Sequence, residues 1–220
     1  MKAAKSQSRK PTGRPTADAG RRKLARLLEV ASDQFGQLGY RAVTMRGVAA
    51  KAHVSTRTLY NRYADKLSLF TACLDFGSQT FPVPDPEPGE SPESVLKRYA
   101  AAVVRALSTP SSLRMGMLVF RDGLEFPELL RVAQVHEDRC LIQPLAEYLR
   151  RIGLELADGK DRAKLFLGMA LIQWQRAGSY RQPPPTEDEV VRHAELCVHT
   201  FLLGVRPVDT AAGHQGPRTT

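Results

Sequence analysis

Apolar residues recur at helical spacing along most of the chain, and no stretch alternates as a strand would. The first such stretch predicts a helix from Asp18 to Leu38, with Gly39 as its C-cap. Its apolar face comprises Leu24, Leu27, Leu28, Ala31, Phe35 and Leu38. Together with the later helical patterns, this spacing predicts an all-α protein.

Residues 44–63 predict two short helices joined by a tight turn. Thr44 is a candidate N-cap for the first helix, which should end near Ala52, and Ser55 caps the second. Leu59 and Tyr63 point inward. The outer face of the second helix carries Thr56, Arg57, Thr58, Tyr60 and Asn61. An exposed helix with these side chains and few neighbouring carboxylates suits a DNA major groove.

Further helices follow this pair. Asp65 can cap a fourth helix that begins at Lys66 and reaches about Ser78, and residues 80–92 then hold five prolines and three acids and cannot be helical. Beyond them the periodicity predicts helices at 93–107, 111–123, 127–152, 161–177 and 187–205. Pro144 should kink or break the long helix at 127–152.

The last two predicted helices are apolar around almost their whole circumference. Such a helix must be buried on both sides. One side can face its own domain, and the other requires a second chain; the alternative is a central core helix of a monomer. We therefore expect a homodimer formed through these two helices.

These patterns predict the following organisation. The expected segments are a disordered basic arm at 1–17, a DNA-binding domain at 18–78, a Pro-rich linker at 79–92, a helical regulatory and dimerisation domain at 93–206, and a disordered tail at 207–220. Within the arm, Gly13-Arg14-Pro15 resembles a minor-groove reader. A plain flexible tail explains it equally well.

The charge is distributed unevenly. Residues 1–66 hold 15 Lys and Arg against 4 Asp and Glu, a net charge of +11, whereas residues 67–220 hold 17 against 19, a net charge of −2. The basic excess is confined to the first third of the chain, which indicates a polyanionic partner at that end. A basic tail that only improves solubility is the alternative.

Cysteine usage and hydropathy predict a soluble cytoplasmic protein. The three cysteines are far apart and odd in number, which argues against a disulfide framework. No apolar run approaches the ~20 residues that a membrane span needs, and the basic amino terminus lacks the apolar segment of a secretory signal.

The stretch from Thr44 to Lys66 resembles the DNA-binding end of the TetR family of bacterial transcription regulators. The matching positions are Thr44, Val48-Ala49, Ala52, Val54-Ser55, Thr58-Leu59-Tyr60, Tyr63 and Lys66. Two positions depart from the pattern. His53 replaces the usual turn glycine, at a site expected to need a positive φ, and Gly47 replaces a common acidic residue. The resemblance is specific within about residues 21–74, and it also implies a surface turn at Tyr40 and Arg41.

Side-chain chemistry and this resemblance together suggest roles on DNA. Arg57 is the first candidate for a base contact, because arginine can bind guanine O6 and N7 together. Thr56 and Thr58 can reach a base edge or a phosphate. Backbone-positioning contacts are expected from Thr44, Tyr60, Asn61 and Lys66, of which Lys66 takes the phosphate-binding role of the matching family lysine. Ser55 should cap its helix first and contact phosphate second, and packing under the helix is the alternative for Tyr60.

The resemblance further implies a dimeric repressor that binds a palindromic operator and is released by a small molecule in the helical domain. Residues that can line the effector cavity are Met117, Phe120, Arg121, His136, Tyr148, Met169, Gln173 and Trp174. No nucleophile–base pair or metal-ligand spacing stands out, so neither an enzyme nor a metal or cofactor is expected. The alternative is a helical ligand-binding or interaction protein that contacts nucleic acid only non-specifically.

Overall fold

The computed structural model describes residues 17–155, 159–179 and 183–204, apart from the side chains of Ala17 and of residues 173–179. All regular structure in these ranges is helical, which confirms the predicted all-α class. The α-helices are α1 (Ala17–Leu38), α2 (Met45–Lys51), α3 (Thr56–Tyr60), α4 (Lys66–Gly77), α5 (Pro92–Leu107), α6 (Pro110–Asp122), α7 (Pro127–Glu137), α8 (Gln143–Arg151), α9 (Asp161–Ser179) and α10 (Glu187–Gly204). The predicted arm and tail lie outside the described residues, except for Ala17.

Local capping chemistry determines where several helices begin. Asp65 accepts a hydrogen bond from the Ser68 backbone at 2.7 Å, and the Ser68 hydroxyl accepts one from the Asp65 backbone at 3.1 Å, which forms a capping box at α4. Ser91 caps α5 by accepting from the Ser94 backbone at 3.2 Å. These side chains satisfy backbone donors that have no partner within the helix.

The long helix predicted at 127–152 is broken near Pro144. The α7 helix ends at Glu137, a π-helical turn follows at Asp138–Ile142, and α8 begins at Gln143. Pro144 is the second residue of α8, and it has no N–H to donate to the carbonyls of the turn before it. The predicted interruption is therefore confirmed, and it takes the form of a wider helical turn.

The first hydrophobic cluster lies among α1 to α4 and centres on Phe35, Phe70 and Leu69. Two later helices complete it, because Leu118 of α6 and Leu129 of α7 are fully buried in the same cluster. This packing was not apparent from the sequence. The amino-terminal helices and α6–α7 therefore form one continuous core across the predicted linker.

Tyr40 also belongs to this first cluster and is only 5% exposed. The expectation of a surface turn is wrong for Tyr40 and correct for Arg41, which is exposed. The Tyr40 ring lies 5.9 Å from that of Phe35 and 6.0 Å from that of Phe70. Burial raises the pKa of its hydroxyl to about 12.

The second cluster is formed by α5, α8, α9 and α10, with Phe166 and Leu145 at its centre. Arg98 holds the Pro-rich segment that precedes α5 against this helix. This guanidinium donates to the Asp85 carbonyl at 2.7 Å and to the Glu90 carboxylate at 2.7 Å. The segment is thus attached at two points.

Part of the apolar surface of α9 and α10 remains uncovered in the single chain. These helices bury one face in the second cluster, but several large apolar side chains on their other faces are exposed. They are Leu165, Ile172, Val191, Leu196 and Leu203. No helix in the described ranges is long and apolar enough to cross a bilayer.

Candidate nucleic-acid interface

The α2 helix begins at the predicted cap. The Thr44 hydroxyl accepts a hydrogen bond from the Gly47 backbone N–H at 3.1 Å. A Cβ at position 47 would lie 3.1 Å from this same hydroxyl, closer than an ordinary contact. The absence of a side chain at Gly47 therefore leaves room for the cap.

Ser55 caps α3 as predicted. Its hydroxyl accepts from the Thr58 backbone N–H at 3.0 Å and lies 2.6 Å from the Thr58 hydroxyl. Both side chains are exposed at the start of α3. Because each hydroxyl has a partner within the turn, the pair holds a fixed geometry at the amino end of the candidate reading helix.

The turn between α2 and α3 confirms the expected backbone conformation of His53. Its φ is +54°, in the left-handed region that glycine adopts most easily. The next residue, Val54, donates from its backbone N–H to the Ala49 carbonyl at 3.0 Å, which satisfies a carbonyl near the end of α2.

The orientation of α3 follows from its buried residues. Leu59 and Tyr63 are buried in the first cluster, as predicted. Arg57, Thr58 and Tyr60 are exposed on the opposite side, and Tyr60 retains half of its accessible surface. Thr56 is partly exposed, and Asn61 is the exposed C-cap residue. The helix therefore presents the predicted polar face to solvent.

This face belongs to a stretch of the chain whose charged residues are all positive. Residues 34–64 contain five Arg and Lys and no Asp or Glu. Arg46, Lys51 and Arg62 in this region are exposed alongside Arg57. These three cations were not among the predicted contacts, although the absence of carboxylates from this stretch would have indicated them. Such a surface attracts the phosphates of nucleic acid.

Lys66 makes contacts within the protein. Its ammonium donates to the Tyr40 carbonyl at 2.6 Å and to the Arg41 carbonyl at 3.4 Å, and it lies 4.3 Å from the centre of the Tyr40 ring. Burial lowers its pKa. The lysine therefore joins the start of α4 to the turn after α1, and its predicted phosphate contact stays a prediction.

Residues 27–73 match the family model described as bacterial regulatory proteins, tetR family. This chain carries a TetR-family amino-terminal domain. The matched range spans most of α1, all of α2 and α3, and most of α4. It therefore contains both capped helices and the positive region described above.

The fold likeness to solved structures extends beyond this domain to more than four-fifths of the chain. A TetR family transcriptional regulator from Pseudomonas syringae pv. tomato has a TM-score of 0.67 and 21% identity, over 84% of this chain and 96% of that one. The flavonoid-responsive regulator FrrA has a TM-score of 0.65 and 22% identity, over 86% and 99%. NalD, the secondary repressor of the MexAB-OprM multidrug efflux pump in Pseudomonas aeruginosa, has a TM-score of 0.60 and 16% identity, over 86% and 99%. No curated protein matches the sequence.

The predicted effector residues lie in three different places. Met117 and Phe120 project from α6, 42% and 79% exposed. Arg121 and His136 lie where α6 and α7 meet the amino-terminal domain. Tyr148 and Met169 pack in the second cluster. The side chains of the remaining two, Gln173 and Trp174, lie outside the described residues.

The described chain contains a small cavity of about 210 Å³ at the ends of α5 and α10. Its lining includes Arg105, Ser108 and Glu187, and none of the eight predicted residues. Ligand pockets of drug-sized molecules usually hold about 300–1,000 Å³. Among the described residues, no group of three His, Cys, Asp or Glu side chains is placed to hold a metal ion.

Proposed function

We propose that the protein is a transcriptional regulator that binds a specific double-stranded DNA operator. The observation that carries this proposal is the exposed face of α3. Arg57, Thr58 and Tyr60 project from a capped helix on a surface that is free of carboxylates over residues 34–64. A helix with this surface fits the major groove, where an arginine can distinguish guanine from other bases.

We further propose that the protein acts as a homodimer. The exposed apolar side chains of α9 and α10, Leu196 and Leu203 among them, support a contact between two copies of these helices. A two-fold dimer would place two α3 helices about 34–36 Å apart, on successive turns of a palindromic operator.

In this proposal the protein is a repressor, and a small molecule in the helical domain releases it. The repressor and flavonoid-responsive roles named for two proteins of the same fold support this assignment. Because α6 and α7 pack in one core with the amino-terminal helices, a ligand that shifts α6 or α7 would also change the position of α3. A coupling of about 1–3 kcal/mol would weaken operator binding about 5–150-fold.

The experiment that tests the proposal compares purified protein on its own upstream intergenic DNA and on random DNA of equal length, at one near-physiological salt concentration. We expect the protein to bind the upstream intergenic DNA about 10³-fold more tightly than random DNA. Equal, weak binding to both would instead favour the interaction protein that contacts nucleic acid only non-specifically. Salt dependence alone does not separate the two, since both contact phosphates.

Arg57→Ala then tests the assignment of base reading. It should relax the sequence preference at one base pair of each operator half-site. The lost bidentate contact should weaken the free energy of operator binding by about 1–3 kcal/mol. Arg26→Ala is the matched control, because Arg26 is an exposed arginine of α1, outside the reading helix. An unchanged sequence preference in Arg57→Ala would show that Arg57 does not read a base.

A further inference from the structure

The turn after α1 is joined to the end of α6 by a hydrogen bond between residues far apart in the chain. The backbone N–H of Tyr40 donates to Oδ2 of Asp122 at 2.6 Å, across 82 positions of sequence. The other oxygen of Asp122, Oδ1, accepts from Nε of Arg121 at 2.6 Å. The hydrogen bond from Arg121 lowers the pKa of Asp122, so the carboxylate remains ionised at neutral pH.

The shape of this contact depends on Gly39. Its φ is +85°, and a Cβ at this position would lie 3.0 Å from Oδ2 of Asp122 and 2.6 Å from Nη2 of Arg121. A glycine therefore allows α6 to approach the turn closely. Beside it, the Phe126 ring lies 5.1 Å from the Tyr40 ring, which extends the contact to the start of α7.

The opposite side of Tyr40 is bound to α4. The Tyr40 carbonyl accepts from the ammonium of Lys66 at 2.6 Å, and Lys66 is the first residue of α4, a few positions beyond the end of α3. Two charged side chains thus hold the backbone of one residue. Asp122 holds its N–H from α6, and Lys66 holds its carbonyl from α4.

We propose that Asp122 is a positioning residue for DNA binding. It fixes the turn at 39–41 against α6 and, through the bond between Tyr40 and Lys66, fixes the orientation of the helix pair α2–α3 relative to the rest of the chain. The inference rests on the proposed DNA-binding function and adds to it one side chain of the helical domain that orients α3.

Removal of the Asp122 carboxylate has two opposing effects on DNA binding, one electrostatic and one through positioning. DNA is a polyanion, so the loss of a negative charge strengthens its binding to any sequence. Loss of a positioning contact weakens binding only where orientation matters, which is at the selected operator. The sign of the change therefore distinguishes the two effects.

The DNA test uses the full-length variants Asp122→Ala and Asp122→Asn on the sequence preferred by the wild-type protein and on random DNA. We expect Asp122→Ala to bind the preferred sequence at least tenfold more weakly, with no loss on random DNA. Asp122→Asn keeps an oxygen that can accept from Tyr40 and should recover most of the affinity. Glu147→Gln, which removes an exposed carboxylate from α8, is the control for charge. Equal or tighter operator binding by Asp122→Ala would overturn the inference.

Hydrogen–deuterium exchange on the free proteins provides a readout that does not depend on DNA. Asp122→Ala should speed exchange at the Tyr40 amide and across residues 45–60, while α5 and α10 exchange as in the wild type. Unchanged exchange at these sites would overturn the positioning role even if the wild type selects an operator. If Asp122→Ala exchanges faster but the wild type shows no sequence preference on DNA, Asp122 positions α2–α3 and the proposed function is wrong.

Discussion

Nδ1 of His136 lies 3.3 Å from the carboxylate of Asp75, a contact that joins α7 to α4. Arg139, from the π-helical turn, binds the same carboxylate oxygen of Asp75. Sγ of Cys140 lies 4.0 Å from Nδ1 of His136. The His136 side chain is only 12% exposed at this junction. The charges that face it are therefore the carboxylate of Asp75 on α4 and the guanidinium of Arg139.

This environment predicts a loss of stability in mild acid. Burial lowers the pKa of His136, Asp75 raises it, and Arg139 lowers it, with a net decrease. The unfolded chain, whose histidines titrate near pH 6.5, then binds more protons than the folded protein. The free energy of unfolding should therefore fall as the pH drops below about 6.5, toward the lower pKa of the folded state.

Urea denaturation between about pH 7.5 and 5 measures this loss. His136→Asn removes the titration and should give a shallower decline than the wild type. His199→Asn, which changes an exposed histidine of α10, is the control. Parallel pH profiles for the wild type and His136→Asn would contradict the assignment.

Gly39→Ala should destabilise the protein. The positive φ of this residue costs an alanine about 1–2 kcal/mol, and the new Cβ would also displace Arg121 and Asp122. Gly116→Ala is the control, since position 116 lies inside α6 with open space around it. This second change should stabilise by about 0.5–1 kcal/mol. Equal free energies of unfolding for the two alanine variants would refute the expectation.

His53→Gly should leave the fold unchanged or stabilise it slightly. Relief of the left-handed conformation gains about 1–2 kcal/mol, and the larger entropy of glycine in the unfolded chain offsets about 0.4–1 kcal/mol of that gain. His53→Val places a β-branched side chain at the same φ and should destabilise instead. Thermal unfolding of both variants measures the difference, and a lower midpoint for glycine than for valine would contradict it.

Leu196→Glu combined with Leu203→Glu should dissociate the proposed dimer without unfolding the chain. Both leucines are exposed in the single chain, at 64% and 72%, so the carboxylates stay in solvent unless a partner covers them. Sedimentation velocity at micromolar concentration should show a dimer for the wild type and a monomer for the double variant. Leu124→Glu, at an exposed leucine of the turn between α6 and α7, should remain dimeric. A wild-type monomer would refute the dimer.

Local patterns in the sequence were sufficient to predict most helices and the candidate reading face. Thr44, Ser55 and Asp65 each bond a backbone N–H within their own first turn, so capping is readable from adjacent residues. The outward position of Arg57 follows from the burial of Leu59, because helical periodicity relates the two directly.

The sequence by itself therefore determined the all-α class, the capped helix pair and the concentration of positive charge around it. Only the tertiary structure decided that Leu118 and Leu129 complete the first core, that Tyr40 is buried, and that Lys66 and Asp122 hold its backbone. The physical reason is that periodicity shows which face of a helix must be covered and leaves open which distant element covers it. A contact across 82 residues is selected by the packing of the whole chain.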